Sequence, residues 1–461
     1  MKYLNEFLER PLLTENAGFA PEEEFLKTHA VKVTADAPPA AADALFPVCG
    51  RADDRVQYLV NTREMHTLIL GTTGAGKTRR CLAAGITAAM FSREKPSMMI
   101  LDLKGELRQM TEPFARRMGY ECVHLDFTGA PSHGYDPLAL ARECRERGDE
   151  AGAEQALTAL AELVAPSVGE GRSSDPFWDR TTRQVVQAAA LYLLQREKKD
   201  APANFPAVAD RIGCIFARED APAEFVSDVA FACGRDSTAY RLAQSALAGS
   251  EKTLQNVATS VLSAVNRFLR NKIMVEIMKK PMSPALKDPT EKPVAVYFRV
   301  SESGAESYDF GRLVFSQLYQ RLSARAGAGR LPRGFEFFLE EMANGAPLPN
   351  LDKIASVARS KGVRLHLVLQ SLSQLEEIYG PAQAQTIVNC CGATIVMRTQ
   401  DPLAADRVAR MAGVNFRGRA LISEHQLAHL SCGQALILLP ACRPYMAQVC
   451  DVSRIPWLKG A

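Results

Sequence analysis

The clearest chemical signature in the chain is the run from Gly71 to Thr78, which reads Gly-Thr-Thr-Gly-Ala-Gly-Lys-Thr. This run matches the phosphate-binding pattern G-x-x-x-x-G-K-[ST] without a mismatch, between an apolar strand and a helix. Glycines let the backbone turn its N–H groups inward, and a helix N-terminus favours negative charge. We therefore predict that a nucleotide is bound by Gly71, Thr72, Thr73, Gly74, Ala75, Gly76, Lys77 and Thr78. Lys77 is expected to reach the β- and γ-phosphates and Thr78 to ligate magnesium, whereas the alternative is an accidental glycine turn.

A second set of candidate residues is a pair of acids, Glu340 and Glu341, at the end of an apolar strand. Strands that serve a phosphate loop usually end in Asp-Glu, with the Asp orienting the magnesium shell and the Glu acting as general base. Here Glu340 takes the Asp position as a metal-binding residue, so the shell is expected to be shifted or bridged by water. Glu341 is the predicted base that activates water. The alternative is two exposed carboxylates at a strand end.

Three more polar residues are candidates because of their positions relative to predicted strands. Gln370 ends the next strand, where it is expected to sit against the γ-phosphate and report hydrolysis, or else to cap the following helix. Arg359 lies between these strands and is either an arginine finger on a neighbouring subunit's γ-phosphate or a surface salt-bridge partner. Asp102 ends an earlier strand, where it either lies near the expected ligand crevice or is a helix N-cap or turn residue.

These residues need a sheet that brings strand ends together. Apolar runs at residues 68–70, 97–102, 121–127, 293–300, 335–341, 363–370 and 393–398 alternate with helical patterns, which predicts an α/β fold with a mostly parallel sheet. Between 138 and 283 helical periodicity dominates, which predicts an inserted all-helical domain. Residues 61–137 and 284–461 are then the nucleotide-binding domain, closed by a hairpin at 434–452. Residues 1–60 form an N-terminal extension with an edge strand at 56–60.

Composition limits the classes of protein to which this chain can belong, but it does not identify a function. The 461 residues carry a net charge of +3, which neither indicates nor excludes nucleic acid binding. The eleven cysteines include no C-x-x-C pair, so we expect a reduced setting without structural zinc. No segment approaches the ~20 apolar residues of a membrane helix, and charges interrupt the N-terminus. Membrane association is therefore expected to be peripheral or through a partner.

Several motifs occur together in one order along the chain. They include Asp102-Leu103-Lys104-Gly105-Glu106, Gly134-Tyr135-Asp136-Pro137-Leu138, Asp175-Pro176-Phe177-Trp178, Phe338-Leu339-Glu340-Glu341-Met342-Ala343-Asn344, Arg359-Ser360-Lys361-Gly362, Gln370-Ser371-Leu372-Ser373-Gln374-Leu375 and Tyr379-Gly380. Over residues 60–450 this set resembles the TraG/TraD-type coupling proteins of conjugative type IV secretion systems. The sequence departs from that family at Glu340 (usually Asp) and Asp136 (usually Asn), and lacks the N-terminal membrane helices of most relatives.

The resemblance implies a RecA-like P-loop ATPase with an inserted all-helical domain, assembled as a homo-hexamer and using ATP and Mg²⁺. Such rings recruit single-stranded DNA, or a relaxase–DNA complex of the relaxosome, and drive it toward the channel proteins of the secretion system. By the same resemblance Gln370 is the sensor and Arg359 the finger. The expected location is cytoplasmic and peripheral, at the inner face of the cell membrane.

Other functions remain open at the level of sequence. A nucleotide-gated docking adaptor with little hydrolysis would fit Glu340 and the missing anchor. A DNA translocase of the chromosome-segregation type shares the motor fold, although the helical insertion argues against it. A small-molecule kinase fits poorly, because it would leave the motifs after Gly362 unexplained.

Overall fold

A computed structural model describes residues 18–32, 44–49, 56–62, 65–165, 176–198, 203–300, 305–340, 347–415 and 417–455. The strands in these ranges are β1 (Ala30–Lys32), β2 (Ala44–Cys49), β3 (Val56–Asn61), β4 (Thr67–Leu70), β5 (Ser97–Leu101), β6 (Glu121–Asp126), β7 (Val294–Arg299), β8 (Phe335–Leu339), β9 (Val363–Leu369), β10 (Ala393–Val396), β11 (Gln434–Leu438) and β12 (Tyr445–Gln448). They form a twelve-stranded sheet in the order β1-β3-β2-β12-β11-β10-β4-β9-β8-β5-β7-β6.

The sheet has a parallel centre and an antiparallel flank. The parallel neighbours run through β10, β4, β9, β8, β5 and β7. The antiparallel neighbours are β10 with β11, β11 with β12, β12 with β2, β2 with β3, and β3 with β1. The predicted α/β class and the closing hairpin are confirmed. The predicted edge strand at 56–60 is wrong in one respect, since β3 pairs on both sides.

Many of the helices lie between strands in the sequence, as the alternation of apolar runs and helical patterns predicts. In chain order they are α1 (Glu22–His29), α2 (Ala83–Phe91), α3 (Glu106–Arg117), α4 (Ala139–Glu146), α5 (Glu150–Val164), α6 (Pro176–Arg196), α7 (Phe205–Ile215), α8 (Ala221–Cys233), α9 (Thr238–Leu247), α10 (Glu251–Leu269), α11 (Lys272–Lys279), α12 (Pro284–Lys287), α13 (Ala305–Ala326), α14 (Leu351–Val357), α15 (Leu372–Tyr379), α16 (Pro381–Cys390), α17 (Pro402–Ala412) and α18 (Glu424–Ala428). A π-helix, Lys77–Leu82, precedes α2, and 3-10 turns occupy Ala358–Lys361 and Val452–Arg454.

The chain divides into two units. The first comprises residues 1–123, 289–298 and 325–461, and the second comprises 124–288 and 299–324. This division differs from the predicted domain plan, because most of α13 joins the second unit and β1–β3 join the sheet. Within the second unit, the Tyr135 hydroxyl donates to Gln317 of α13 at 2.8 Å, and Arg321 of α13 pairs with Glu143.

The core of the first unit lies on the sheet face that carries α2 and α3. Apolar side chains of the central strands, such as Ile69, Ile100 and Phe338, pack there against Ile86 and Met90 of α2. These residues are almost wholly buried, so burial of the apolar strands and helix faces holds the carboxyl ends of β4, β8 and β9 in place.

Asp136 and Cys450 each bear on an expectation from the sequence. Asp136 accepts a hydrogen bond from the Leu138 amide and pairs with Arg142 at 2.7 Å. A carboxylate is therefore accommodated where the resembling family has an amide. The sequence predicts a reduced setting, and one cysteine departs from it, since Cys450 is disulfide-bonded.

Candidate nucleotide-binding site

The phosphate-binding loop joins β4 to the π-helix. Gly74 and Gly76 have φ values of 76° and 94°, which L-residues with a side chain rarely adopt. Gly71 is tightly enclosed, since an added Cβ would lie 3.1 Å from the Met397 Cβ. The amide of Thr72 donates to the Arg398 carbonyl at 2.8 Å, which ties the loop to the chain beyond β10. Only glycines at these positions permit this close, inward-turned backbone.

The Lys77 side chain lies inside the loop. It is 7% exposed, and its Nζ donates to the carbonyls of Gly71 at 2.5 Å and Thr72 at 3.0 Å. The loop's own carbonyls thus hold the ammonium close to the backbone that would surround a phosphate. This position agrees with the role that the motif predicts for Lys77, which remains a prediction.

Thr78 and Glu340 meet at the carboxyl edge of the sheet. The Thr78 Oγ1 donates to the Glu340 Oε1 at 2.5 Å, and Glu340 is 6% exposed. Magnesium prefers oxygen ligands at 2.0–2.1 Å in an octahedral shell, where adjacent ligands stand about 2.9 Å apart. A hydroxyl and a carboxylate oxygen already almost that close suit such a shell. The residues present therefore fit a magnesium ion, and the Glu340 side chain, which is longer than an Asp side chain, contacts Thr78 directly.

Gln370 lies beside the loop at the end of β9. β4 and β9 are paired in register up to Leu70 and Leu369, so the next residues, Gly71 and Gln370, come side by side. The Thr73 Oγ1 donates to the Gln370 Oε1 at 3.1 Å. The helix that follows is capped by another residue, since the Ser371 side chain accepts the Gln374 amide. The Gln370 side chain thus contacts the loop through Thr73, as a sensor requires.

Asp102 stands at the same edge, one strand beyond Glu340, because Leu101 of β5 pairs with Leu339 of β8. Its carboxylate is 1% exposed and accepts the Arg108 amide of α3 at 2.7 Å. Asp102 therefore binds a backbone amide in the first turn of α3, although the N-cap residue of that helix is Gly105, and its place near a ligand stays a prediction.

Arg359 is not brought to this edge. Arg359 lies in the exposed 3-10 turn before β9, at the amino end of that strand. Since β9 has seven residues, about 23 Å of strand separates Arg359 from Gln370. Within one chain, Arg359 and the phosphate loop are therefore at opposite edges of the sheet. Glu341, the predicted base, lies outside the described residues.

The π-helix and its partners were not predicted from sequence. Arg79 pairs with Asp451 through two hydrogen bonds of 2.8 and 2.9 Å, and Arg80 donates to the Val449 carbonyl at 3.0 Å. Arg79 holds the pKa of the Asp451 carboxyl well below its usual range. Arg79 and Arg80 thus contact neighbouring elements, and no local signal in the sequence indicates the π-winding or the residue that Arg79 contacts.

In the part of the chain that the structure describes, no group of three or more His, Cys, Asp and Glu side chains is arranged to hold a metal ion. Within that same part, every helix is too short or too polar to span a bilayer.

Comparisons with known proteins point to one family. The family described as "Type IV secretory system Conjugative DNA transfer" matches residues 13–427. Protein VirD4 of Agrobacterium fabrum is 26% identical over 374 residues, which cover 79% of this chain and 52% of that protein. Protein VirD4 of Rhizobium rhizogenes is 26% identical over 423 residues, covering 87% of this chain and 58% of that protein. The chain thus spans little more than half the length of these relatives.

Solved structures resemble the fold. The unbound bacterial conjugative coupling protein TrwBdeltaN70 aligns with a TM-score of 0.64 at 16% identity, covering 95% of this chain and 97% of that one. The plasmid coupling protein TrwB in complex with the ATP analogue ADPNP aligns with a TM-score of 0.63 at 18% identity, over 94% and 96% of the chains. TrwB in complex with ADP and Mg²⁺ gives 0.62 at 16% identity, over 91% and 93%. This likeness confirms the predicted P-loop fold with its mixed, mostly parallel sheet.

Proposed function

The chain belongs to the conjugative DNA transfer family of type IV secretory systems, and we propose that it is an ATP-driven coupling ATPase of that family. The observation that carries the proposal is the contact between Thr78 and Glu340 beside an intact phosphate loop. A loop alone binds a nucleotide, whereas a loop with an acid at its threonine can also hold the metal that hydrolysis needs.

Each residue has a defined part in this proposal. ATP lies with its phosphates in the loop 71–78, and Lys77 contacts the β- and γ-phosphates. Thr78 and Glu340 hold Mg²⁺, which neutralises charge developing on the phosphates. Gln370 senses the γ-phosphate, and Glu341 activates the attacking water. The complexes of TrwB with ADPNP and with ADP and Mg²⁺ support the choice of nucleotide and metal.

Arg359 is proposed to act on the neighbouring subunit. Its place at the amino end of β9 keeps it from the loop of its own chain. In a ring, the amino edge of one subunit's sheet can face the carboxyl edge of the next. We therefore assign Arg359 as an arginine finger in a homo-hexamer, in keeping with the family.

The substrate and partners are proposed from the family. The protein would recruit single-stranded DNA, or a relaxase–DNA complex of the relaxosome, and drive it to the secretion channel. Its place would be the cytoplasmic face of the inner membrane, held there through partner proteins.

A mass measurement tests nucleotide, ring and substrate together. Native mass spectrometry of the full chain with a non-hydrolysable ATP analogue, Mg²⁺ and a single-stranded oligonucleotide should show a hexamer carrying both ligands. Lys77→Ala should show the DNA-bound chain without nucleotide. A wild-type chain that stays monomeric and free of nucleotide at saturating ligand would contradict the proposal.

A docking adaptor with little hydrolysis is a second candidate, motivated by Glu340 in place of Asp. The two functions differ in turnover, since both bind ATP and assemble. If Glu340→Asp raises the rate of ATP hydrolysis by tenfold or more, the native chain is a slowed motor suited to docking. An unchanged or lower rate would show that Glu340 is accommodated and would leave the motor as the better description.

A further inference from the structure

His66 occupies a junction directly before the strand that carries the phosphate loop. The residue is 1% exposed and precedes β4. Its backbone carbonyl accepts the Ala393 amide at the start of β10, at 3.1 Å. Its imidazole reaches two other elements, β9 and α14. Through its backbone and its side chain together, this one residue thus joins the beginnings of three neighbouring strands to a helix.

The hydrogen bonds fix which ring nitrogen carries the proton. The Leu365 amide can only donate, and it lies 3.0 Å from the His66 Nδ1, so Nδ1 is the acceptor. The Ala355 carbonyl can only accept, and it lies 2.9 Å from Nε2, so Nε2 carries the hydrogen. Burial lowers the pKa of His66 to about 4, which keeps the ring neutral and in this tautomer near pH 7.

The bond to Ala355 falls where a helix ends. The last four carbonyls of a helix have no partner within it, and Ala355 lies in the last turn of α14. The chain then tightens into the 3-10 turn Ala358–Lys361, which holds Arg359. His66 therefore caps the helix one turn before Arg359. The Arg359 charge also contributes to the low pKa of His66, which places the two groups in electrostatic reach of each other.

We infer that His66 is a positioning residue for Arg359, holding the turn of that arginine in register with the strand of the phosphate loop. The inference rests on the proposed function, in which Arg359 acts on the neighbour's nucleotide. The β4 strand has four residues, so about 13 Å separates His66 from the loop. In each subunit, His66 then connects the turn that holds Arg359 to β4, the strand that leads into that subunit's own phosphate loop.

Subunit mixing separates this role from a general structural one. Lys77→Ala subunits keep Arg359 but lack a working loop, and Arg359→Ala subunits keep the loop but lack the arginine. Neither should hydrolyse ATP alone, and their mixture should regain part of the wild-type rate. Adding His66→Asn to the Lys77→Ala subunit should lower the regained rate by about ten- to a hundredfold, the scale of a ~1 Å misplacement. Adding His66→Asn to the Arg359→Ala subunit should change the regained rate less than about twofold, because that subunit has no Arg359 for His66 to position.

Two isosteric replacements assign the effect to one hydrogen bond. The Asn oxygen stands where Nδ1 was and keeps the bond from Leu365, whereas the Gln amide stands where Nε2 was and keeps the bond to Ala355. His66→Gln in the Lys77→Ala subunit should therefore restore most of the rate that His66→Asn removes. The single variant His66→Asn, tested for ATP-analogue binding through its own loop, should match wild type and so report correct folding.

The outcomes distinguish the inference from its premise. If wild type is active but the mixture of Lys77→Ala and Arg359→Ala subunits is not, Arg359 does not act across subunits, and both ideas fail. If the mixture is active and His66→Asn has the same effect in either subunit, or none, only the positioning role of His66 is overturned. Loss of analogue binding in the single variant would likewise make His66 a folding residue.

Discussion

The buried imidazole of His66 gives a quantitative prediction about acid stability. Burial is the largest cause that lowers its pKa, from the ordinary 6.5 to about 4, with smaller contributions from His366, Arg359 and Arg364 and an opposing one from the Ala355 carbonyl. The unfolded chain therefore binds a proton at His66 before the folded chain does. Stability from this group is fully present above pH 6.5 and is lost as the pH falls toward 4.

The size of the loss follows from the two pKa values. Their difference of about 2.5, at about 1.4 kcal/mol for each pKa unit, corresponds to ~3 kcal/mol when the loss is complete. At pH 5 the loss should be about 2 kcal/mol. His66→Gln has no titrating group at this position. Between pH 7.5 and pH 5 its free energy of unfolding should therefore fall by about 2 kcal/mol less than that of the wild type.

Urea denaturation of the full chain, followed by tryptophan fluorescence and circular dichroism, measures this difference. The wild-type free energy of unfolding should approach that of His66→Gln as the pH falls from 7.5 to 5. A variant that begins less stable at pH 7.5 still tests the slope, because the comparison is between pH values. Parallel losses in the two proteins would refute the claim that His66 is held neutral by its surroundings.

Three further predictions concern neighbouring strands. Glu336→Leu should lower the free energy of unfolding by ~3–5 kcal/mol, because it removes the buried carboxylate that pairs with Arg364 at 2.5 Å and with His366 at 3.2 Å, and the double variant with Arg364→Met should recover part of this loss in the same denaturation assay. Glu340→Asp shortens the reach to Thr78 and should raise the Mg²⁺ concentration needed for half-maximal nucleotide binding, as measured by titration calorimetry; an unchanged requirement would contradict a metal role for Glu340. Gln370→Ala should reduce kcat for ATP by about tenfold or more with little change in KM, and a change in KM alone would argue against a sensor.

Local sequence was enough to predict the elements whose signals are contiguous. The loop 71–78, the acid at 340 and the polar end of β9 are each read from a few adjacent residues. Alternation of strands and helices then placed all three at one edge, and the structure brings Thr78 and Glu340, and Thr73 and Gln370, into contact. The family resemblance read from the motifs is likewise confirmed by the match over residues 13–427.

The remaining features depend on contacts between distant parts of the chain. The helical pattern of α13 does not tell which unit it packs against, and the bond between Tyr135 and Gln317 decides it. The partners of His66 lie 289 and 299 residues away in the chain, so no local pattern singles it out. The π-helix after the loop spans six residues, which is too few for an apolar pattern to distinguish it from an α-helix, and its partner Asp451 lies 372 residues away from Arg79 in the chain.

In the proposed function this chain converts ATP binding into work on DNA. The most direct test is the steady-state rate of ATP hydrolysis by the purified full chain, with and without single-stranded DNA, beside Lys77→Ala. The expected result is hydrolysis that single-stranded DNA stimulates and that Lys77→Ala abolishes. A folded wild-type chain that binds ATP and Mg²⁺ but hydrolyses none, with or without DNA, would contradict it.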